Sequence, residues 1–105
     1  MLDIAWRPRA HLDRESIAIF LGIERQNPQA ALNAMNRIDE VLEFVRKYPD
    51  AGGHFHMDGL DHDYRTMLAN PYTIYYRYDE CVLTVYRIIH QRRDIDTYAL
   101  IELES

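Results

Sequence analysis

Residues 71–94 read PYTIYYRYDECVLTVYRIIHQRRD, and their pattern decides how the rest of the chain is read. Tyrosine, isoleucine and valine crowd both halves, and these residue types suit a pleated, half-buried surface. Asp79-Glu80 divides the run. Two antiparallel strands, residues 72–78 and 81–90, are therefore expected about a tight turn. Neither turn residue is Gly or Asn, which favours a bulged or type I turn over type I′. Directly after Ile89 come His90, Gln91, Arg92 and Arg93, so the last strand delivers positive charge to the surface.

Upstream, residues 64–68 read as a further strand, closed by the Asn70-Pro71 turn. Residues 54–63, HFHMDGLDHD, form a polar loop. Before it, Ala31, Met35, Ile38, Leu42 and Val45 recur every three or four positions. That spacing predicts one apolar stripe on a helix of about 20 residues. Asn27 is a favoured N-cap and Pro28 fits the first helical position, while Pro49 and Gly52-Gly53 stop the helix. An earlier helix is expected over residues 9–25 from Leu12, Ile19, Phe20 and Ile23, with Gly22 weakening its second half. Leu2, Ile4 and Trp6 alternate with Asp3, Ala5 and Arg7 as a first strand that Pro8 ends. Asp94 could cap a short final helix to about Leu103.

The expected fold is α+β. It has an N-terminal strand, an antiparallel helical hairpin, a three-stranded antiparallel meander and a short C-terminal helix, in one domain over residues 1–105. The 105 residues suffice for one modest core. Cys81 is the single cysteine, which excludes an internal disulfide, and it reads as a small core residue of the strand. No run approaches the roughly 20 apolar residues that span a bilayer. The N-terminus carries acids early and lacks the apolar segment of a signal peptide. A soluble, cytoplasmic protein with no membrane partner is expected.

Net charge is −5, which argues against non-specific DNA binding, because phosphate affinity comes from cations. The average hides an asymmetry. Residues 64–93 hold five arginines against Asp79 and Glu80, leaving that segment at +3. Arg65, Arg77, Arg87, His90, Arg92 and Arg93 are accordingly expected to converge as a patch for a specific anionic partner. The bland alternative is a set of arginines each paired with a carboxylate. His54, His56 and His62 sit among three aspartates but lack the spacing of a metal motif, so no metal and no cofactor are expected. Tyr72, Tyr76 and Tyr78 fall on one strand face and Tyr75 on the other, as packing residues more than a base-stacking platform.

Several of these features together resemble the RelE/ParE superfamily of type II toxin–antitoxin toxins. They are Trp6 in a first strand, NPQAA at residues 27–31, Tyr48-Pro49 with Gly52, and Gly59 with Arg65. PYTIYYRYD at 71–79 and VYRIIHQRRD at 85–94 are the most specific. The last two look closer to the ParE branch. The resemblance implies a toxin that blocks DNA gyrase by protein binding and is neutralised by a cognate antitoxin. The alternatives are a RelE-like enzyme cutting mRNA on the ribosome with Arg65, Arg92, Arg93 and Tyr98, or a family fold with a lost or different activity. Met67 and Thr73 stand where ribosomal nucleases carry further cations, which tells against the nuclease. Aromatic and apolar area along the sheet suits an antitoxin segment that folds on binding, with self-association as the competing use.

Overall fold

The computed structural model describes residues 1–56 and 62–92. Arg93, Tyr98 and the expected final helix lie outside the described residues, as does Gly59. Within them run β1 (Asp3–Trp6), α1 (Pro8–Ile19), a π-helical turn (Phe20–Glu24) and α2 (Pro28–Lys47). A 3₁₀ turn (Pro49–Ala51) leads to β2 (Gly53–Phe55), β3 (Tyr64–Ala69), β4 (Tyr72–Tyr78) and β5 (Val82–His90). No helix among the described residues is long and apolar enough to cross a membrane.

The helix boundaries follow from capping chemistry. The Asn27 side chain accepts the Ala30 N–H at 3.0 Å, and Pro28 occupies the first turn. Gln26, just before it, takes the left-handed φ of 51° that reverses the chain. Ala34, Ile38, Leu42 and Val45 are the buried stripe of α2, with Met35 packed beside them. Full burial of Ile38, Leu42 and Val45 contributes roughly 1.5–3 kcal/mol each. At Gly22 the two helices approach so closely that an added Cβ would lie 3.4 Å from the Ala31 Cβ.

All five strands form one sheet in the order β1-β5-β4-β3-β2. The meander β3-β4-β5 is antiparallel, as expected from the two turns. Two features depart from the expectation. β1 joins the meander by pairing parallel with β5, from Asp3↔Val82 to Trp6↔Val85. Gly53–Phe55, expected in a loop, pairs with Tyr64–Thr66 as β2; three residues are too few to show a periodic signal. Cys81 is a third correction. It is exposed in the hairpin turn, because the Asp79 carboxylate accepts the N–H groups of both Cys81 and Val82 at 2.8 Å, delaying the strand to Val82.

A bulge splits β5. Tyr75 pairs with Arg87 but Tyr76 pairs with Val85, so Tyr86 has no partner across β4. The extra residue changes which side chains face the helices. Leu83 and Val85 before the bulge and Ile88 after it all enter the main core, with Tyr72, Tyr76 and Ile74 of β4. Tyr75, Tyr64 and Ile89 form a second cluster. The tyrosines of β4 divide between the two as their alternation predicts.

The contact that joins the layers is Asp13 with Arg87. The Arg7 N–H makes the last backbone bond to β5, at Val85, and Pro8 then turns the chain into α1. Asp13, further along α1, reaches back to β5. It accepts from Arg87 Nε at 2.7 Å and Nη2 at 3.1 Å, and from the Ile88 N–H at 2.9 Å. Its carboxylate thus replaces the strand that β1 no longer supplies. Arg87 is 1% exposed, and charge-assisted bonds of this kind are about twice as strong as neutral ones.

Three outcomes follow from this packing. Asp13→Ala should lower unfolding free energy by about 3 kcal/mol in urea titrations, because it strands a buried guanidinium; adding Arg87→Met should recover part of the loss. Gly52→Ala should cost about 2 kcal/mol, since a Cβ there overlaps the Tyr76 hydroxyl and comes within 2.9 Å of the Thr66 carbonyl. A smaller penalty in a Tyr76→Phe background would identify the hydroxyl as the obstacle. The Asp79 carboxyl is held below its ordinary 3.8 by the N–H groups of Cys81 and Val82. Between the two values the unfolded chain binds more protons, so this contribution is whole above 3.8 and lost as pH falls through the folded value. Acid unfolding of Asp79→Ala should therefore show a shallower pH dependence than the parent.

Candidate functional site

The arginines read from the sequence as one patch occupy three separate places. Arg87 is buried against Asp13 and so is absent from the surface. Arg65 and Arg77 lie near the β4–β5 hairpin. Arg65 pairs across from Tyr76 in the ladder, whereas His90 pairs across from Tyr72. Four residues of strand separate these levels, about 13 Å. The expectation of a single convergent patch is corrected by this placement.

At the hairpin end the cations serve mainly structural roles. Arg65 Nη1 donates to the carbonyls of Asp50 at 3.0 Å and Gly52 at 2.9 Å, and the guanidinium lies 5.7 Å from the Tyr78 ring centre. The Tyr76 hydroxyl donates to the Pro49 carbonyl at 2.8 Å, and Tyr78 donates to the Asp50 carboxylate. These bonds clamp the turn after α2 onto the sheet. The Asp50 hydrogen bond, and then burial, raise the Tyr78 pKa, so its phenol remains a donor at neutral pH. Arg77 stacks 5.9 Å from the Tyr64 ring centre. A polar cleft of about 180 Å³ lies here, bounded by His54, Asp63, Arg65, Arg77 and Tyr78.

His56 Nδ1 lies 2.6 Å from Asp63, and among the described residues no three His, Cys, Asp or Glu side chains gather about one point. His54 and His62 do not join that pair in a coordination set.

The opposite end of the sheet carries the better candidate. The Asn70–Pro71 turn, whose peptide bond is cis, gathers residues from three segments. Arg37 Nη1 of α2 donates to the Asn70 carbonyl at 2.6 Å. The Gln91 N–H donates to the Pro71 carbonyl at 2.8 Å, holding the exit of β5 against the turn. His90 meets the Tyr72 ring edge-on at 5.6 Å, and its Nδ1 accepts the Arg92 N–H at 3.1 Å. Arg37, His90 and Arg92 are all exposed. Among the described residues none of the three has a carboxylate within ion-pair distance.

His90 borders a groove of about 270 Å³ between α1 and β5. Ile17, Phe20, Tyr72, Ile88 and Ile89 supply its apolar wall, with Ser16, Asp13 and His90 at its margin. Phe20 remains 45% exposed. Unpaired positive charge next to exposed apolar area suits recognition of an acidic protein surface or segment. Of the residues expected at a target site, His90 and Arg92 are found here. Arg37 was not anticipated. It lies on the polar side of α2, and only the approach of that helix to the Asn70–Pro71 turn brings it into the group.

The residues of the nuclease alternative do not assemble in the described part. Arg65 and Arg92 lie at opposite ends of the sheet, and Arg93 and Tyr98 are outside the described residues.

No curated protein matches the chain. Among solved structures, one of the chromosomal ParDE toxin–antitoxin system from P. aeruginosa is similar in fold, with a TM-score of 0.64. Sequence identity is 21%, over 86% of this chain and 96% of that one. A family model described as the ParE toxin of the type II toxin–antitoxin system parDE matches residues 4–95. That match takes in both helices and, but for Asp3, every strand of the described residues, and with it the chain belongs to the ParE toxin family of type II toxin–antitoxin systems.

Proposed function

We propose that the protein is a cytoplasmic toxin that arrests growth by binding DNA gyrase, performs no bond-breaking chemistry itself, and is neutralised by a cognate antitoxin. The observation that carries this reading is the group of Arg37, His90 and Arg92, unpaired among the described residues, beside an apolar groove on a chain of net charge −5. A confined positive region on an acidic body accelerates encounter with an acidic protein surface while the net charge discourages random nucleic-acid binding. The resemblance to ParE toxins supports gyrase as the target of that surface. The separation of Arg65 from Arg92 along the sheet weighs against a shared site for RNA cleavage.

Purified protein should inhibit supercoiling by gyrase. Arg37→Glu combined with Arg92→Glu should raise the concentration needed by about 100-fold, since two reversed rim charges each cost about a factor of ten. The pair lies outside the core, so only a small fall in stability, about 1 kcal/mol for the lost Arg37–Asn70 hydrogen bond, should accompany the loss. Growth arrest without any effect on supercoiling would reject gyrase as the target, and ribosome toeprints in the same cells would then reveal cleavage. An adjacent short reading frame whose product restores growth would establish the antitoxin.

A further inference from the structure

His54 of β2, Arg65 of β3 and Arg77 of β4 all line the cleft of about 180 Å³ at the hairpin end of the sheet. His54 and Arg65 are direct partners across the β2–β3 ladder. Side chains so placed start about 5 Å apart, and two basic groups at that distance repel when both are charged. Arg65 cannot simply turn away, because its Nη1 holds the carbonyls of Asp50 and Gly52. Arg77 is half-buried, with its guanidinium over the Tyr64 ring. Stacking uses the face of a guanidinium and leaves the N–H donors in its plane for a forked acceptor. Among the described residues no carboxylate lies within ion-pair distance of Arg65 or Arg77.

The acids nearby are engaged elsewhere. Asp63, on the cleft wall, lies 2.6 Å from His56 Nδ1, and the Asp50 carboxylate accepts from the Tyr78 hydroxyl. A second cleft of about 160 Å³ shares Arg77 and Tyr78 with the first and extends to Thr84 and Tyr86 of β5. The Asp79 carboxylate at its edge is held by the N–H groups of Cys81 and Val82. Arg77 thus stands between a basic cleft and one with an aromatic wall. A planar fork of donors matches two oxygens of a phosphate, and an adjacent ring suits an organic group attached to it.

We propose that the hairpin-end cleft binds a phosphate monoester, its phosphate among Arg77, His54 and Arg65 and its organic group passing Arg77 toward Tyr86. The bound anion offsets the repulsion between His54 and Arg65. It also ties β2 to β4 across the start of β3, so it reinforces the clamp on the turn after α2. The site lies at the end of the sheet away from His90 and Arg92, and it depends on neither gyrase nor an antitoxin.

The probes are inorganic phosphate and a 5′-nucleoside monophosphate, each titrated into the full chain at constant ionic strength and followed by NMR and urea unfolding. Both should shift the His54, Arg65 and Arg77 signals. The monoester should bind about ten-fold more tightly, the gain expected of one stacked ring. Either ligand at ten times its Kd should raise the folding equilibrium constant about ten-fold. Arg77→Gln should weaken both by about ten-fold or more and erase that gain, whereas the general stabilisation by an excluded anion would persist in it. His54→Gln, at an exposed position, should weaken both about three-fold and carries the same test if Arg77→Gln does not fold. Arg25→Gln removes the same charge at the end of the π-helical turn and should bind as the parent does. Undiminished binding to Arg77→Gln and His54→Gln, equal weakening by Arg25→Gln, or shifts at Arg37, His90 and Arg92 instead would each overturn the site. Equal affinity for the two probes would overturn the ester and give the cleft to free phosphate.

Discussion

The carboxylate of Asp13 sets the geometry on which the rest of this molecule depends. A parallel strand pair normally continues until both strands end, yet here Pro8 removes β1 while β5 still has five residues to run. An unpaired Ile88 N–H and a lone buried Arg87 guanidinium would each carry a cost, because unpaired polar groups in a core are expensive. One carboxylate offsets both, accepting from the side chain of Arg87 and the backbone of Ile88. It also fixes the distance between α1 and β5. The groove beside Phe20 and Ile88 is the space left by that spacing, so the structural contact and the candidate binding surface have a common origin.

A second consequence concerns charge. The chain is acidic overall, but its cations are not interchangeable. Arg87 is consumed inside, Arg65 holds the turn after α2, Arg77 lies against Tyr64, and Arg14 pairs with Asp39 on the helical face. Arg37 and Arg92, exposed and without a carboxylate partner among the described residues, lie toward the Asn70–Pro71 end. The two ends of one sheet thus have different tasks, clamping at the hairpin and recognition at the opposite turn. The second combines free charge with apolar area, a combination that suits an interface.

Local chemistry was legible in the chain wherever a residue's environment is set by its near neighbours. The span of α2 follows from Asn27, Pro28 and the spacing of Ile38, Leu42 and Val45, since a cap and a periodic stripe depend on nearby positions. β4 follows from its alternating tyrosines, and the division of Tyr72 and Tyr76 from Tyr75 follows from the period of two. Membership of the toxin family was likewise visible in the strand motifs. Net charge alone already set aside non-specific nucleic-acid binding.

The tertiary structure decided matters that depend on residues far apart. Whether an arginine is a docking cation or a core strut is decided by what lies across from it, and Arg87 finds Asp13 at a separation of 74 residues. The bulge at Tyr86 inverts the facing of the residues beyond it, so the alternation of β5 could not be read through that point. Arg37 enters the candidate surface only because α2 passes over the Asn70–Pro71 turn, and Cys81 leaves the core only because Asp79 folds back on the hairpin. Sequence spacing encodes period and capping. Pairing partners, and with them the fate of each charge, emerge only when the layers are packed together.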